Sequence, residues 1–431
     1  MLTTNNIYEL LTDEYDGRLC EEIGEDACRE TPRSFVLILC SLLLTKLGDA
    51  IASPKTTLAW LATAVGAPAF VLGYLVPIRE SGSMVPQLFI GGIIRRLPVR
   101  KWVWVLGSVL QGLCIAGLAV VALALEGTVA GWAMLGLVAA FSLSRSLSSI
   151  AYKDVLGKTV PKPRRGQLSG WAASGAGLLS IVVGLAVGAV SATALDAPVI
   201  AILLAGAAVL WWLAAGLFSG VEETPGETGG GRSLLDALGS LRLLLDDRDF
   251  RHFVIARALL MCSALSAPFY VALSQGSDNG GLAALGGFVV ASGVASLVSG
   301  PFWGRFADRS SRLVMTSAAL VTSCIGLAVF AVGELAPALV RGWWFLPMAY
   351  LVLSVAHQGV RVGRSTYVVN LGEGNRRTDY VAISNTVIGV LLLVVGSVGV
   401  LTPWLGNAGV IALLASMGLV GAVVSFRMPE V

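Results

Sequence analysis

From Phe35 to Phe426 the sequence alternates between apolar runs of about twenty residues and short polar connections. A run of that length, nearly free of charge, crosses the hydrocarbon of a bilayer as a helix, because lipid offers no partner for an unpaired backbone N–H or C=O. Charge content agrees. Only 13% of residues are Asp, Glu, Lys or Arg, about half the share of an ordinary soluble domain. Mean hydropathy is +0.79, and the 51 glycines suit helices that pack closely in a membrane.

Twelve such segments can be drawn: 35–64, 68–94, 102–125, 129–152, 168–190 and 197–219, then 251–273, 281–303, 313–333, 342–365, 380–401 and 405–426. The first is long and interrupted at Ser53-Pro54. Splitting it in two would give thirteen spans and put the Arg95-Arg96 loop on the wrong side. The second holds Pro77 and Pro86. Residues 1–33 form an acidic, polar tail, with a short helix expected at 7–11, and do not read as a signal peptide. Between the halves, 221–250 is polar, with Gly229-Gly230-Gly231 and a short amphipathic stretch at 234–245. The expected organisation is a tail (1–33), a six-helix bundle (34–220), a linker (221–250) and a second six-helix bundle (251–431). The fold class is therefore an all-α membrane protein.

Basic residues fix the expected orientation. With the N-terminus inside, inner loops carry Arg95, Arg96, Arg100, Lys101, Lys153, Lys158, Lys162, Arg164 and Arg165 in the first half. They carry Arg305, Arg309, Arg312, Arg364, Arg376 and Arg377 in the second. The outer loops hold Glu126, Asp196, Asp278, Glu334 and a single Arg341. We expect a multi-pass protein of the inner (cytoplasmic) membrane with both termini cytoplasmic. The halves also repeat. A shift of 212 positions lays Gly92 on Gly304, Arg100 on Arg312, Trp132 on Trp344, Arg165 on Arg377, and Gly177, Gly184 and Gly206 on Gly389, Gly396 and Gly418. Two parallel six-helix halves with substrate sites near mid-bilayer are a transporter architecture.

The loop after segment eight reads Gly300-Pro-Phe-Trp-Gly304-Arg-Phe-Ala-Asp308-Arg309-Ser-Ser-Arg312. It resembles the G-x-x-x-D-R-x-x-R signature of the major facilitator superfamily in its second-half copy. Lys46-Leu47-Gly48-Asp49, with Trp60-Leu61 following, is similar to the opening of many members. The resemblance implies twelve helices in two pseudo-symmetric bundles and a conformational latch at Gly304, Asp308, Arg309 and Arg312. Carboxylates and arginines at helix ends contribute ~0.3–2 kcal/mol each, enough to bias two states without freezing either. The first-half copy, Gly92 to Lys101, has Arg96 where the Asp belongs, so a latch built on Arg96 and Arg100 is absent or inverted in sign. Gly175, Gly184 and Gly188 match the first spacings of the family's antiporter motif, but Ala189 and Val190 stand where its remainder should follow. Small residues that let helices approach account for them equally well.

Charges at mid-depth cost about 2.5–3.5 kcal/mol each on insertion scales, so they line a cavity or pair. The set is Lys46 and Asp49, Arg79 and Glu80, Arg145, and His357 and Arg361. Lys46 and Asp49 share a helix face, as do His357 and Arg361. Arg145 and His357 are equivalent under the shift. Arg79 and Glu80 lie about 100° apart and must point different ways. A proton-coupled carrier needs a group that binds a proton in one state and releases it in the other. Asp49 and Glu80 fit first and His357 third; permanent Lys46–Asp49 or Arg79–Glu80 pairs are the structural alternative. The surplus of cations favours an anionic substrate on Arg145 and Arg361, with Arg79 and His357 beside them; Arg361 and Arg364 could also belong simply to the inner rim.

There is no nucleotide-binding loop and no nucleophile–His–Asp set. Cys40, Cys114, Cys262 and Cys324 lie in apolar runs, and Cys20 and Cys28 in the polar tail, without metal spacing. We expect no enzyme, no cofactor and no metal site. The expected partners are the lipid bilayer, protons and a small-molecule substrate, with no nucleic acid, for a monomer. The function expected is secondary active transport of a small solute by alternating access. Two rivals stay open: a proton-driven exporter of drug-like or amphipathic molecules, and a transport-dead sensor or partner subunit.

Overall fold

The computed structural model describes residues 25–86, 94, 96–190, 197–226, 228, 242–275, 282–307, 309–371 and 375–431. Among these there is no strand. The helix expected at 7–11, Gly92, Arg95, Cys20, Asp196, Gly229–Gly231, Asp278 and Asp308 lie outside the described residues, as does most of the amphipathic stretch at 234–245. In the first half the helices are α1 (Glu25–Ile51), α2 (Thr57–Ala64), α3 (Phe70–Met84), α4 (Lys101–Ala124), α5 (Gly127–Thr159), α6 (Lys162–Val190) and α7 (Ala197–Ser219). In the second they are α8 (Arg248–Leu259), α9 (Cys262–Leu265), α10 (Ala267–Gln275), α11 (Leu282–Ala307), α12 (Ser311–Leu335), α13 (Phe345–Leu371), α14 (Asn375–Gly396) and α15 (Thr402–Phe426).

Two expected spans are broken helices. The first runs as α1, an irregular turn, then α2. Pro54 has no N–H to continue the ladder and disfavours helix at Ser53. The Ser53 carbonyl instead accepts from Thr56 and Leu58, at 3.3 and 3.0 Å. The seventh, expected as one continuous run, is divided into α8, α9 and α10 at Leu260-Met261 and at Ser266, two residues before Pro268. With those breaks joined, the described helices trace twelve segments, six per half, consistent with the expected bundles. α1 and α8 begin, and α7 and α15 end, on one face, the face of the termini.

Two antiparallel seams join the bundles, α3 against α14 and α6 against α11. Glycine allows both. A Cβ on Gly286 would stand 2.5 Å from the Gly184 carbonyl, and one on Gly293 would stand 2.8 Å from the Gly177 carbonyl. In the other seam, a Cβ on Gly73 would stand 2.8 Å from the Gly399 Cα. Contacts this close between backbones exclude any side chain. Gly184, another of the glycines weighed above as an antiporter motif, thus packs in a seam; Gly175 packs on Leu43 of α1.

The seams are tight away from the termini. There α2 also meets α10, and the Gln275 amide donates to the Trp60 carbonyl at 3.1 Å. Ser81 Oγ donates to the Gly389 carbonyl at 2.6 Å, nearer mid-depth. On the terminus side the seam of α6 and α11 parts, because Gly166, Gly170, Gly300 and Gly304 have nothing within 4 Å of a Cβ position.

Candidate functional site

Asp49, near the end of α1, is the hub of the first bundle. Arg79 of α3 donates Nη2 to its Oδ1 at 2.6 Å. Arg145 of α5 donates Nη1 to the same oxygen at 2.6 Å and also engages Oδ2. One carboxylate therefore ties three helices. The Arg79 guanidinium lies 4.2 Å from the centroid of the Phe141 ring, which shields its face. Asp49 keeps 24% of its side-chain surface and Arg145 keeps 37%, so the cluster forms the wall of a hollow rather than a dry core. Lys46 is exposed and makes no ion pair within 4 Å among the described residues; the Lys46–Asp49 pair weighed above is replaced by the two arginines.

Glu80 turns the other way, as the 100° step between neighbours requires. It lines a cavity of about 40 Å³ with His357, Arg361 and Arg364 of α13, closed by Met261, Ala264 and Ile388. It has no ion-pair partner within 4 Å among the described residues, and Arg361 and Arg364 share its cavity. A second cavity of about 90 Å³ lies between the break in the first span, the break in the seventh, α11 and α13. Six hydroxyl side chains line it: Ser53, Ser263, Ser292, Ser296, Tyr350 and Ser354. His357 borders both cavities.

Lys55 and His357 join the bundles across this space, Nζ to Nε2, at 2.8 Å. The imidazole Nδ1 lies 2.9 Å from Ser263 Oγ, and that hydroxyl donates to the Leu260 carbonyl at 2.9 Å. Arg145 and His357, equivalent by the repeat, thus serve different partners. Arg361 and Arg364 line the cavity beside Glu80.

Two residues escape the sequence reading. Lys55 follows Pro54 directly and is easily discounted as the polar corner of a break. Arg257 sits near the start of segment seven, where a basic residue reads as an inner flank. It is 6% exposed and donates to Ser384 Oγ and Asn385 Oδ1, both at 2.7 Å, while its Nε has no acceptor. A count of every Lys and Arg within a segment, flanks included, would have found both.

Of the expected latch residues, Arg100 and Arg312 pair within their own halves. Arg100 pairs with Asp154 of α5, and Arg312 donates to Glu430 at 2.9 Å. Arg96 and Arg309 are exposed, and Gly304 lies near the end of α11. Among the described residues no group of His, Cys, Asp and Glu is placed to hold a metal ion.

A family model described as Major Facilitator Superfamily matches residues 38–387. Comparison with curated proteins finds no match. Among solved structures, the chain is similar to a D-xylose-proton symporter (13% identity, TM-score 0.70, covering 92% of this chain and 98% of that one). It is similar to the xylose transporter XylE from E. coli in an inward-open conformation (14%, 0.68, 92% and 96%). It is also similar to the nucleoside transporter NupG (15%, 0.65, 92% and 98%).

Proposed function

The chain belongs to the Major Facilitator Superfamily, and from that premise we propose that it is a proton-coupled secondary carrier of a small anionic solute, working by alternating access in an inner membrane with both termini in the cytoplasm. Membership makes it a multi-pass membrane transporter and not an enzyme. The observation that carries the finer reading is a cavity between two bundles that gathers Glu80, His357, Arg361 and Arg364 from both halves. Charges survive at that depth where water and solute reach them. The same cavity offers more positive than negative groups, which favours an anion.

Glu80 is the group we assign to proton coupling. Its carboxylate lines the cavity and has no ion pair among the described residues, so solute or proton can compete for it. Asp49, held by two arginines, is assigned a structural role in keeping α1, α3 and α5 together. Both seams are tight on the far face and that of α6 and α11 is parted on the terminus side, which supports a resting state that would load or release solute on the side of the termini. Reversal requires the bundles to rock about the cavity, breaking Lys55–His357 and closing α6 on α11.

The test is flux in proteoliposomes. With a panel of organic anions, an acid exterior should drive uptake against the solute gradient, and collapse of the pH gradient should abolish accumulation while leaving exchange. Absence of flux for every solute, with or without a gradient, would remove the carrier reading. Exchange that ignores the gradient would remove proton coupling alone.

A further inference from the structure

The two lobes that meet at His357 call for different chemistry. One presents Arg361 and Arg364, neither of which makes a hydrogen bond or ion pair with another described residue. Near them Arg257 adds a positive charge with no ion-pair partner among the described residues, held by Ser384 and Asn385. Arg361 is exposed to the hollow and Arg364 is half-buried beside it; two neighbouring guanidinium groups with no protein anion paired to them repel each other, and a ligand oxyanion supplies the missing counter-charge in the two-pronged geometry arginine favours. Glu80 alone does not balance Arg361, Arg364 and Arg257.

The other lobe has neither a guanidinium nor a carboxylate. Its lining of five serines and a tyrosine, with Gln358, offers donors and acceptors in one small space. Such a wall does not favour an apolar body, whose entry would strip hydroxyls of water without replacing the hydrogen bonds. It matches a ligand that carries hydroxyls of its own, each able to donate and to accept.

We propose that the carrier's substrate is a small polyhydroxylated organic anion, with its carboxylate or phosphate held by Arg361 and Arg364 and its hydroxylated body in the serine lobe. This rests on the carrier reading above. Arg257 is a positioning residue that holds positive potential behind the oxyanion, and Lys55 and His357 sit where the two parts of the ligand join.

Binding to purified full-length protein tests this without flux. Ligand-induced thermal stabilisation is titrated with D-gluconate, D-glucose 6-phosphate, D-glucose, hexanoate and inorganic phosphate. At least one of the first two should bind ten-fold or more tightly than glucose and than either simple anion; which of the two does so separates carboxylate from phosphate. Arg361→Ala should reduce the hydroxylated anion to the affinity of glucose. Ser292→Ala with Ser354→Ala should reduce it to that of the simple anions. The unliganded melting temperature and elution profile of each variant show that it folds. Equal binding of hexanoate would overturn the serine lobe's role, and equal binding of glucose would overturn the arginine lobe's. If none of the five ligands binds while the proteoliposomes carry another solute, the substrate class is wrong and the carrier reading stands.

Discussion

Gly170 of α6 and Gly300 of α11 occupy the next rung of a ladder whose first two rungs, Gly184 with Gly286 and Gly177 with Gly293, are in backbone contact, yet neither has any atom within 4 Å of its Cβ position. The rungs are seven residues apart on both antiparallel helices, so they face the same seam. Two rungs are buried and the third is exposed. The seam is a zipper that is closed on the far face and open toward the termini.

A Gly170→Cys, Gly300→Cys pair should therefore cross-link poorly in the resting protein. Wedging the far end with Gly286→Leu, whose side chain has no room against Gly184, should raise the cross-linking rate several-fold by favouring the opposite state. Gly73→Val, a wedge in the other seam, should do the same if Gly286→Leu does not fold. A rate indifferent to both wedges would mean that this seam does not close.

Asp49 and Glu80 should separate in function. Asp49→Asn leaves two arginines with a neutral partner; breaking a buried ion pair costs about 3–5 kcal/mol, less here because Asp49 is partly exposed. The variant should melt lower and lose both exchange and driven uptake. Glu80→Gln should keep the melting temperature within a few degrees and keep exchange, while losing ten-fold or more of driven uptake. Equal loss of both activities in Glu80→Gln would transfer the coupling role elsewhere.

Spans were legible in the sequence because lipid imposes a length and a polarity on every one, and the break at Ser53-Pro54 because proline cannot continue a helix. The break at Leu260-Met261 was not, since no proline or glycine marks it; the hydroxyl lobe is built against the segment it frees. Of the deep charges, Asp49, Arg79, Glu80, Arg145 and His357 stood out in the sequence, but Lys55 and Arg257 did not, because each sits at a break or a flank. Their partners were not legible. Asp49 sits three residues from Lys46 but bonds Arg79 and Arg145, because helix packing brings α3 and α5 to that face and leaves Lys46 exposed. The glycine ladder becomes visible only once α6 is known to lie against α11.

Glu223 supplies the carboxylate that the first-half signature lacks at Arg96. Its Oε2 accepts the backbone N–H groups of Arg100 and Lys101, at 2.8 and 2.6 Å, at the start of α4, and its Oε1 accepts from Lys158 at 2.8 Å. Glu430 stands in the related place, four residues past α15 as Glu223 is past α7, and accepts from Ser310 and Arg312 at the start of α12. The Glu223 side chain is 0% exposed and that of Glu430 is 45%. Glu223→Ala should thus destabilise the protein by about 1–3 kcal/mol through the lost cap of α4 and the lost bond from Lys158, which keeps its pair with Asp154. Glu430→Ala should cost about 0–1 kcal/mol. Thermal melts of the two variants decide; a larger loss for Glu430→Ala would reverse the assignment.

The Lys55–His357 bond fixes a proton arrangement. With Lys55 as an ammonium, which only donates, Nε2 of His357 accepts, the ring N–H is at Nδ1 and donates to Ser263 Oγ, and the Ser263 hydroxyl donates to the Leu260 carbonyl. The chain runs from the break in the first span to the break in the seventh, and so holds the bundles together at cavity depth. His357→Ala removes the tie and leaves Lys55 without its partner. The far face should then open more often. A cysteine at Ala62, 1% exposed in α2 behind that seal, should react several-fold faster with a membrane-impermeant maleimide in the His357→Ala background than alone. His357→Gln, which can still accept from Lys55, should restore slow labelling. Fast labelling in both, or in neither, would show that the seal does not depend on this bond.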